Sequence, residues 1–453
     1  MKNILLIICT FICALSLNSA VSRAALETKI VTSEKHGITA WLIEDHSMPL
    51  IAMKFGFRNA GSAQDTPETQ GLARIMSNTM DEGAGDLDSK AFQQALDDQS
   101  ITLSFGVSRD TFSGTLKTLT RTKNEAFNLL HMALTTPRFD QEPLTRMIEA
   151  NKSRIKNAMT KPNWIGARLL NEAAFQGHPY ALNSGGTLST LDTITPEMLR
   201  AYHKKALAQD NLIIGVTGDI TEEELTSILD QIFGALPKQN DLSEIPDLTL
   251  QSSGETWLFP LDIPQTTIHM AQQAPSIHDP DFHYAEIMNF VLGSSGFGSR
   301  LTESIREERG LTYGIYTFFN HYDHVSLLRA STSTKNESAQ EVLSLIQQEW
   351  QGMLSTPISE GELTDAKNYL IGELPLTLTS TDKIAEMLLY LQENNLSVNY
   401  LTQREHIIKN ATLQDIERTT QKWLSQPHFL TVLVGKPDNI QPNKEIHDLP
   451  NVE

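Results

Sequence analysis

The chain has 453 residues, which is enough for two or three domains with substantial hydrophobic cores. Its hydrophobic and charged fractions, 40% and 20%, are ordinary for a soluble globular protein. The net charge of -19 argues against nucleic acid or an anionic membrane surface as a binding partner.

The first 24 residues are typical of a cleaved secretory signal. Lys2 begins a short positive region, an apolar run of about 14 residues follows, and small residues close the segment. The apolar run is too short for a membrane span of about 20 residues. We therefore expect cleavage, at Ala24 in preference to Ala20, and a periplasmic or secreted protein with no membrane span. A retained anchor is the alternative. Both cysteines, Cys9 and Cys13, lie in this segment, so the mature chain has no disulfide and no cysteine–zinc site.

The first half of the mature chain predicts a mixture of strands and helices. A β-hairpin is expected from strands at 37–44 and 50–58. Hydrophobic periodicity and a capping box predict the other elements. These are helices at 70–82, 123–134 and 143–160, strands at 102–107 and 111–118, and a helix that opens with Thr221 and Glu224.

Three motifs occur twice in the same order, one in each half of the chain. They are TKNE at 122–125 and 334–337, LTTP and LSTP at 134–137 and 354–357, and a capping threonine 23 residues before a strand-ending glycine, Thr195 to Gly218 and Thr412 to Gly435. Ordered repeats indicate two copies of one domain of roughly 200 residues. We therefore predict an α+β fold with two homologous domains in tandem, each a mostly antiparallel sheet flanked by helices.

The domain boundaries follow from the repeats and from a polar, proline-containing connector. We place them at 28–236 for the first domain, 237–254 for the linker, 255–437 for the second domain and 438–453 for an acidic tail that is expected to be loosely held. The second domain is expected to repeat the order of the first, with strands at 256–261 and 265–272 and a helix at 284–292.

The stretch SRLTESIREERGLTYGIY, residues 299–316, predicts a helix end, a glycine stop and a strand. Arg306 and Arg309 lie in the last helical turn, where the helix dipole favours cations. Gly310 fits the position just past the helix end. Alternation after the glycine places Tyr313 in the strand as a core residue. This purely structural interpretation accounts for the arginine and the tyrosine by itself.

The same stretch carries a family resemblance. REERGLTY, with tyrosine seven residues after arginine, resembles the arginine/tyrosine signature in the non-catalytic half of pitrilysin/insulinase-type (inverzincin) zinc peptidases. The lead-in LGSSGFGSRL and the segments EDHSMP, GHPY and VTGD are also similar to that family. The resemblance covers about residues 28–437 and is greatest to the mitochondrial-processing-peptidase branch. It implies one half of a clam shell around a peptide chamber.

The zinc motif of that family is degenerate here. The motif H-x-x-E-H places two histidine ligands and a catalytic base on one helix, with a glutamate ligand further along. GSAQDTPETQGLARIMSNTMDEGAG resembles the segment that carries it, but Arg74, Ser77 and Asn78 stand at the motif positions. The position that resembles the third ligand falls near Arg154. Because arginine cannot ligate zinc, we expect no metal in this chain.

No other catalytic set is found in the sequence, which lacks H-E-x-x-H, G-x-S-x-G and phosphate-loop motifs. Histidines cluster in HDPDFH and HYDH, and we interpret them as solvated loop residues rather than metal ligands. They are His278, His283, His321 and His324.

The resemblance implies a zinc-less subunit of a heteromeric periplasmic metallopeptidase that is inactive alone. Its partner would be a homologous subunit with zinc and an intact H-x-x-E-H motif, and the substrates would be unfolded peptides that bind by strand addition. Tyr313 would donate to the oxyanion and Arg306 would bind substrate carbonyls, both in the partner's active site. The alternative is an inactive peptide-binding or scaffolding protein, as in the core subunits of respiratory cytochrome bc complexes. Independent hydrolysis at an unrecognised site is a third possibility.

Overall fold

The computed structural model describes residues 27–294, 298–425, 428–450 and 452–453. The expected signal segment therefore lies outside the described residues. Twelve strands are described, six in each of two sheets. They are β1 (Lys29–Thr32), β2 (Thr39–Glu44), β3 (Leu50–Arg58), β4 (Thr102–Val107), β5 (Thr111–Leu119), β6 (Leu212–Gly218), β7 (Thr256–Pro260), β8 (Gln265–Gln273), β9 (Ile315–Tyr322), β10 (Val325–Lys335), β11 (Leu430–Gly435) and β12 (Lys444–Glu445).

Helices cover the faces of both sheets. They are α1 (Leu72–Thr79), α2 (Ser89–Asp98), α3 (Lys123–Thr135), α4 (Gln141–Ala158), α5 (Pro162–Ala174), α6 (Leu188–Thr193), α7 (Pro196–Ala206), α8 (Glu222–Phe233), α9 (Phe282–Asn289), α10 (Ala339–Ser355), α11 (Glu360–Gly372), α12 (Leu374–Thr377), α13 (Thr381–Glu393), α14 (Tyr400–Asn410) and α15 (Leu413–Leu424), with π-helical turns at Phe290–Ser294 and Thr302–Glu307. In the part of the chain that the structure describes, no helix has the length and apolarity that a membrane span needs.

The strand orders of the two sheets are β1-β2-β6-β3-β5-β4 and β12-β7-β11-β8-β10-β9, and they are equivalent except for the first strand, which pairs antiparallel in the first sheet and in parallel in the second. In both, the second and third strands in this order pair in parallel and the fourth and fifth pair antiparallel. Two copies of one topology along one chain confirm the predicted tandem α+β fold.

The predicted hairpin of the first domain is wrong. β2 and β3 do not pair with each other, because β6 lies between them and pairs with both. From Ile213 to Gly218 every residue of β6 is buried, as is typical of a central strand covered on both faces. The prediction failed because the short connection between β2 and β3 says nothing about a third strand that arrives about 150 residues later in the sequence.

The two halves exchange helices. α13, from the second half, packs on β6 and β3 of the first sheet, and α5, from the first half, packs on β11 and β8 of the second. Ile384 and Leu388 of α13 share an apolar cluster with Ile43 of β2. The side-chain amide of Gln392 bonds to the backbone of Ile214 in β6. It accepts from the Ile214 amide at 3.4 Å and donates to the Ile214 carbonyl oxygen at 2.9 Å. Each sheet is therefore covered by a helix of the other half.

Glycine makes both exchanged contacts possible. A Cβ placed on Gly215 of β6 would lie 2.8 Å from the Ala385 carbonyl oxygen and 2.8 Å from Leu388 Cβ, both on α13. A Cβ placed on Gly166 of α5 would lie 2.3 Å from the ring of His269 in β8. Backbone and side chain approach here more closely than any larger residue allows.

The C-terminal tail is ordered in the described residues, contrary to the sequence-based expectation. β12 pairs in parallel with the outer edge of β7. Val452 is only 2% exposed, and its carbonyl oxygen accepts from the Leu188 amide of the first half at 2.9 Å. The unpaired edge of β7 and the apolar side chains of the tail explain this, since both are stabilised by pairing and burial.

Acidic side chains from both halves, the partly buried Asp110 and Glu393 and the exposed Asp323, lie where the halves meet. The Asp323 amide donates to Asp110 Oδ2 at 3.3 Å across the boundary. Burial, followed by the charge of Asp323, raises the pKa of Glu393 to about 7, although Arg58 opposes this. Burial and the charge of Asp110 likewise raise the pKa of Asp323 to about 6. The contact between the halves therefore contains carboxyl groups that resist ionisation.

Gly215→Ala should destabilise the fold, because the added methyl group collides with the backbone of α13. We expect a loss of about 1–3 kcal/mol in the free energy of unfolding, measured by urea denaturation. Gly372→Ala is the control, since a Cβ at this helical position meets nothing within 4 Å. Equal stability of the two variants would contradict the close approach.

Glu393→Gln should change how stability depends on pH. The folded-state pKa of Glu393 lies above its unfolded value, so its contribution to stability is complete below about pH 4.5 and is lost as the pH rises through about 7. Relative to the parent chain, the variant should gain roughly 1–3 kcal/mol between pH 5 and pH 8. The matched control is Glu341→Gln, an exposed carboxyl on α10, and a parallel shift of both variants would contradict the prediction.

Candidate functional site

Helix α1 carries the degenerate motif and is held firmly at its start. Gly71 precedes it with a positive φ of 90°, and the Asp65 carboxyl accepts from the amides of Gly71 at 2.9 Å and Ala73 at 3.2 Å. Burial raises the pKa of Asp65 to about 7. The predicted apolar face is buried in full, comprising Leu72, Ile75, Met76, Thr79 and Met80. The framework of the motif helix is therefore intact.

Arg74 turns towards the edge of the first sheet. Its Nη2 atom donates to the carbonyl oxygen of Val107, the last residue of β4, at 2.9 Å. Burial and the nearby Arg154 guanidinium lower the pKa of Arg74, and Asp65 opposes them. Nε of Arg74 is buried without a hydrogen-bond partner among the described residues. The structure thus brings two of the predicted positions, one on α1 and one on α4, within electrostatic reach of each other.

The other two motif positions are polar and largely enclosed. Ser77 is buried, and its hydroxyl donates to the Arg74 carbonyl oxygen at 2.8 Å. Oδ1 of Asn78 is buried and unpartnered within the described part of the chain. Arg154 is exposed and donates to Oδ1 of Asn151 on the preceding turn of α4.

Zinc does not fit this donor set. Two guanidinium groups, a hydroxyl and an amide replace the two imidazoles and two carboxylates that hold and use the metal in the inverted motif. Across the described residues, no group of three or more histidine, cysteine, aspartate or glutamate side chains is arranged to hold a metal ion.

The loop with the arginine/tyrosine signature differs from its prediction. Gly310 ends the helix with a positive φ of 63°, as expected. β9, however, begins only at Ile315, and Tyr313 is 92% exposed, so the prediction of a core tyrosine is wrong. Oγ1 of Thr312 lies 3.0 Å from the Gly314 carbonyl oxygen and 2.9 Å from that of Ser333 in β10, and its single O–H can donate to either, so the side chain ties this segment to β10 before β9 begins. The intervening residues form a braced loop that projects the tyrosine.

Arg306 lies in the last π-helical turn, about one turn before this loop. Its Nε is 3.4 Å from a carboxylate oxygen of Glu307, and its side chain is 33% exposed. Arg309 instead donates to the Ser304 carbonyl oxygen at 2.5 Å and to Glu308, so it helps to close the helix end.

Sequence reasoning missed an aromatic stripe next to Tyr313. Tyr316 and Phe318 point to the same side of β9 and are 51% and 39% exposed. The guanidinium of Arg329 lies 5.8 Å from the centre of the Phe318 ring. The alternation of Tyr316 and Phe318 with Ile315 and Thr317 in the sequence was the available signal.

The histidines of HDPDFH and HYDH are not all solvated, contrary to expectation. His283 on α9 is buried, His321 on β9 and His324 are partly buried, and His278 is exposed. Nδ1 of His283 is 2.6 Å from Oε2 of Glu286, and burial lowers the pKa of His321 to about 4. These side chains belong to the packing of the second domain.

Restoring the motif should restore zinc binding if the four degenerate positions occupy the metal site. The variant Arg74→His, Ser77→Glu, Asn78→His and Arg154→Glu should bind one zinc per chain by calorimetry and elemental analysis, whereas the parent binds none. Omitting Arg154→Glu removes the ligand on α4 and should weaken binding by about tenfold or more. Equal affinity of the triple and quadruple variants would contradict the placement of Arg154.

Comparisons with known proteins agree with this architecture. Residues 57–187 match the family described as "Insulinase (Peptidase family M16)", and residues 193–370 match "Peptidase M16 inactive domain". A crystal structure of a peptidase M16 inactive domain from Pseudomonas fluorescens superposes with a TM-score of 0.85 at 25% identity. It covers 92% of this chain and 100% of that one.

Two curated relatives extend the comparison. The "non-peptidase homolog YmxG" of Helicobacter pylori is 26% identical over 336 residues, which are 74% of this chain and 77% of that protein. The probable mitochondrial-processing peptidase subunit beta of Schizosaccharomyces pombe is 24% identical over 375 residues, 80% and 81% of the two chains. With its duplicated fold and degenerate H-x-x-E-H helix, the chain belongs to the insulinase (M16) peptidase family, as a homologue without that family's zinc-binding residues.

Proposed function

We propose that this chain is the zinc-less subunit of an exported, heteromeric metallopeptidase that cleaves unfolded peptides. Its partner is a homologous subunit with zinc and an intact H-x-x-E-H helix. The second domain of this chain supplies Arg306 and Tyr313 to the partner's active site.

The exposure of Tyr313 carries this proposal. A tyrosine that contributes to packing buries its ring. Tyr313 is instead 92% exposed, on a loop that is held by the hydrogen bonds of Thr312. Its hydroxyl makes no hydrogen bond to any residue that the structure describes. A rigid loop that holds an aromatic donor towards solvent is what a site completed by a second molecule requires.

The chemistry assigns a role to each side chain. A zinc ion bound by the partner's H-x-x-E-H helix would supply the activation of water for attack on the peptide carbonyl. The Tyr313 hydroxyl donates to the oxygen that becomes negative during the attack. Arg306, on the same braced segment, donates to backbone carbonyls of the substrate and fixes its position.

The edge proposed to bind the peptide is that of β4. β4 is the last strand of the first sheet and pairs only with β5 among the described strands. Because antiparallel pairing alternates, Leu103, Phe105 and Val107 direct their amides and carbonyls away from β5. An extended peptide can add to this side of β4, and α1 lies directly beside it.

The alternative function is a peptide-binding or scaffolding protein without any catalytic role. The name of the Helicobacter pylori relative, a non-peptidase homologue, favours it. The two functions differ in one observable, which is whether a zinc-bearing partner gains activity from this chain.

The first experiment is a pull-down of the tagged mature chain from a periplasmic extract. Recovered material is assayed for chelator-sensitive cleavage of an unfolded peptide. A stoichiometric zinc-bearing partner that is active only with this chain supports the subunit function. Recovery of no partner, or of one whose activity is unchanged by this chain, rejects it in favour of the scaffolding alternative.

Tyr313→Phe and Arg306→Ala should each reduce kcat of the reconstituted complex, by about 10²-fold for the tyrosine, whose hydroxyl is the proposed oxyanion donor. Complex formation should be retained, because the ring and the fold remain. The matched controls are Tyr369→Phe, an exposed tyrosine on α11, and Arg200→Ala, an exposed arginine on α7, and both should leave kcat unchanged. Unchanged activity of Tyr313→Phe would show that the exposed hydroxyl takes no part in the reaction.

A further inference from the structure

We propose that the vacated metal position is a carboxylate-binding site that selects an acidic side chain of an extended peptide. This inference rests on the peptide-binding edge described above, but it does not depend on a catalytic partner. It replaces a cation site by an anion site at the same place in the fold.

Three segments surround the position. Arg74 comes from α1 and Arg154 from α4, and the loop before α6 closes the third side. A Cβ on Gly185 of that loop would lie 4.0 Å from Nη2 of Arg154. One on Gly71 would lie 2.8 Å from Cα of Gly186, which ties the same loop to the start of α1. The two guanidinium groups are therefore held by neighbouring, closely packed elements.

Within the described residues, the charge of Arg74 is only partly offset. Burial and the Arg154 guanidinium disfavour the charged form of Arg74, and Asp65 is the carboxyl that opposes them. Both oxygens of Asp65 already accept backbone amides of Gly71 and Ala73, and burial favours its neutral form. Like charges in a partly desolvated place are costly without a counter-ion. A bound anion relieves this cost.

The unused donors match a carboxylate. Arg74 donates one Nη2–H to the Val107 carbonyl oxygen, and its buried Nε–H remains without a partner within the described residues. The exposed Arg154 retains further N–H groups, since one bond to Asn151 is described. Guanidinium groups present planar pairs of donors that bind carboxylate in two parallel hydrogen bonds.

The source of the carboxylate follows from the neighbouring strand. Arg74 holds the carbonyl of Val107, which ends the peptide-binding edge of β4. A strand added to β4 passes this arginine, and every second side chain of the strand, about 7 Å apart, points to the same face. An aspartate or glutamate at one of these places reaches both arginines. The overall charge of -19 repels acidic peptides, so a preference for them has to arise locally.

Binding of short extended peptides to the mature chain tests this inference. The set consists of an uncharged sequence, the same sequence with a single glutamate moved through each position, and glutamine and lysine versions of each member. Fluorescence anisotropy should show one glutamate position that binds about tenfold or more tightly than its glutamine version. Inorganic phosphate should compete only weakly, because it cannot pair with β4.

Charge reversal provides the sharper comparison. Arg154→Glu, at an exposed position, should abolish the preference for the glutamate peptide and make the lysine peptide bind more tightly. Arg74→Met should abolish the preference for the glutamate peptide without favouring the lysine peptide. Arg200→Met is the matched control, since Arg200 is an exposed arginine on α7 that bonds Glu197 and the Arg138 carbonyl. It should leave all affinities unchanged.

The outcomes separate this inference from the proposed function. Equal binding of glutamate and glutamine peptides would overturn the carboxylate site and leave the peptide-binding edge intact. Failure of every peptide to bind would overturn both. Phosphate that binds as tightly as the best peptide, with the same dependence on Arg154, would show a general anion site and reject the peptide assignment.

Discussion

The structure depends on the exchange of one helix between two copies of the same sheet. α13 covers the first sheet and α5 covers the second, so each half buries its core against an element of the other. Without α5, the second sheet would expose Leu327, Leu430, Val432 and Val434 to water, and without α13 the first sheet would expose Ile43. The two halves are consequently a single unit of stability, and the surfaces between them keep a defined geometry.

The packing of the first half fixes where the side chains of the degenerate zinc motif lie. Helix α1, which carries the degenerate motif, is capped by Asp65 and packed through its apolar face, and this packing fixes where its polar face lies. Arg74 is anchored to the edge strand by Val107 and lies within electrostatic reach of Arg154. Arginines stand here at two positions where the family's motif has zinc ligands, and the proposed carboxylate site rests on this reversal of charge.

In the second half, by contrast, the local structure holds an aromatic side chain exposed to solvent. Gly310 ends the helix, Thr312 braces the loop, and Tyr313 projects from it. Tyr316 and Phe318 extend the aromatic surface along β9. The first half thus offers a strand edge beside cationic side chains, and the second offers hydrogen-bond donors on a rigid loop. Both features suit contact with an extended peptide.

Several features of the fold and of the candidate site could be predicted from the sequence, and the others could not, for physical reasons. Local signals determined the duplication, the helix from Thr221 with its capping box and buried face, the glycine stop at Gly310 and the loss of zinc-binding residues, because these depend on neighbouring residues or on chemical type alone. Only the tertiary structure decided that β6 separates β2 from β3, that α5 and α13 change places, and that the tail adds a strand. These are pairings between distant segments, selected by burial and not by local pattern. Tyr313 marks the boundary between the two, since alternation placed it in the core and the bonds of Thr312 to a neighbouring strand left it in solvent.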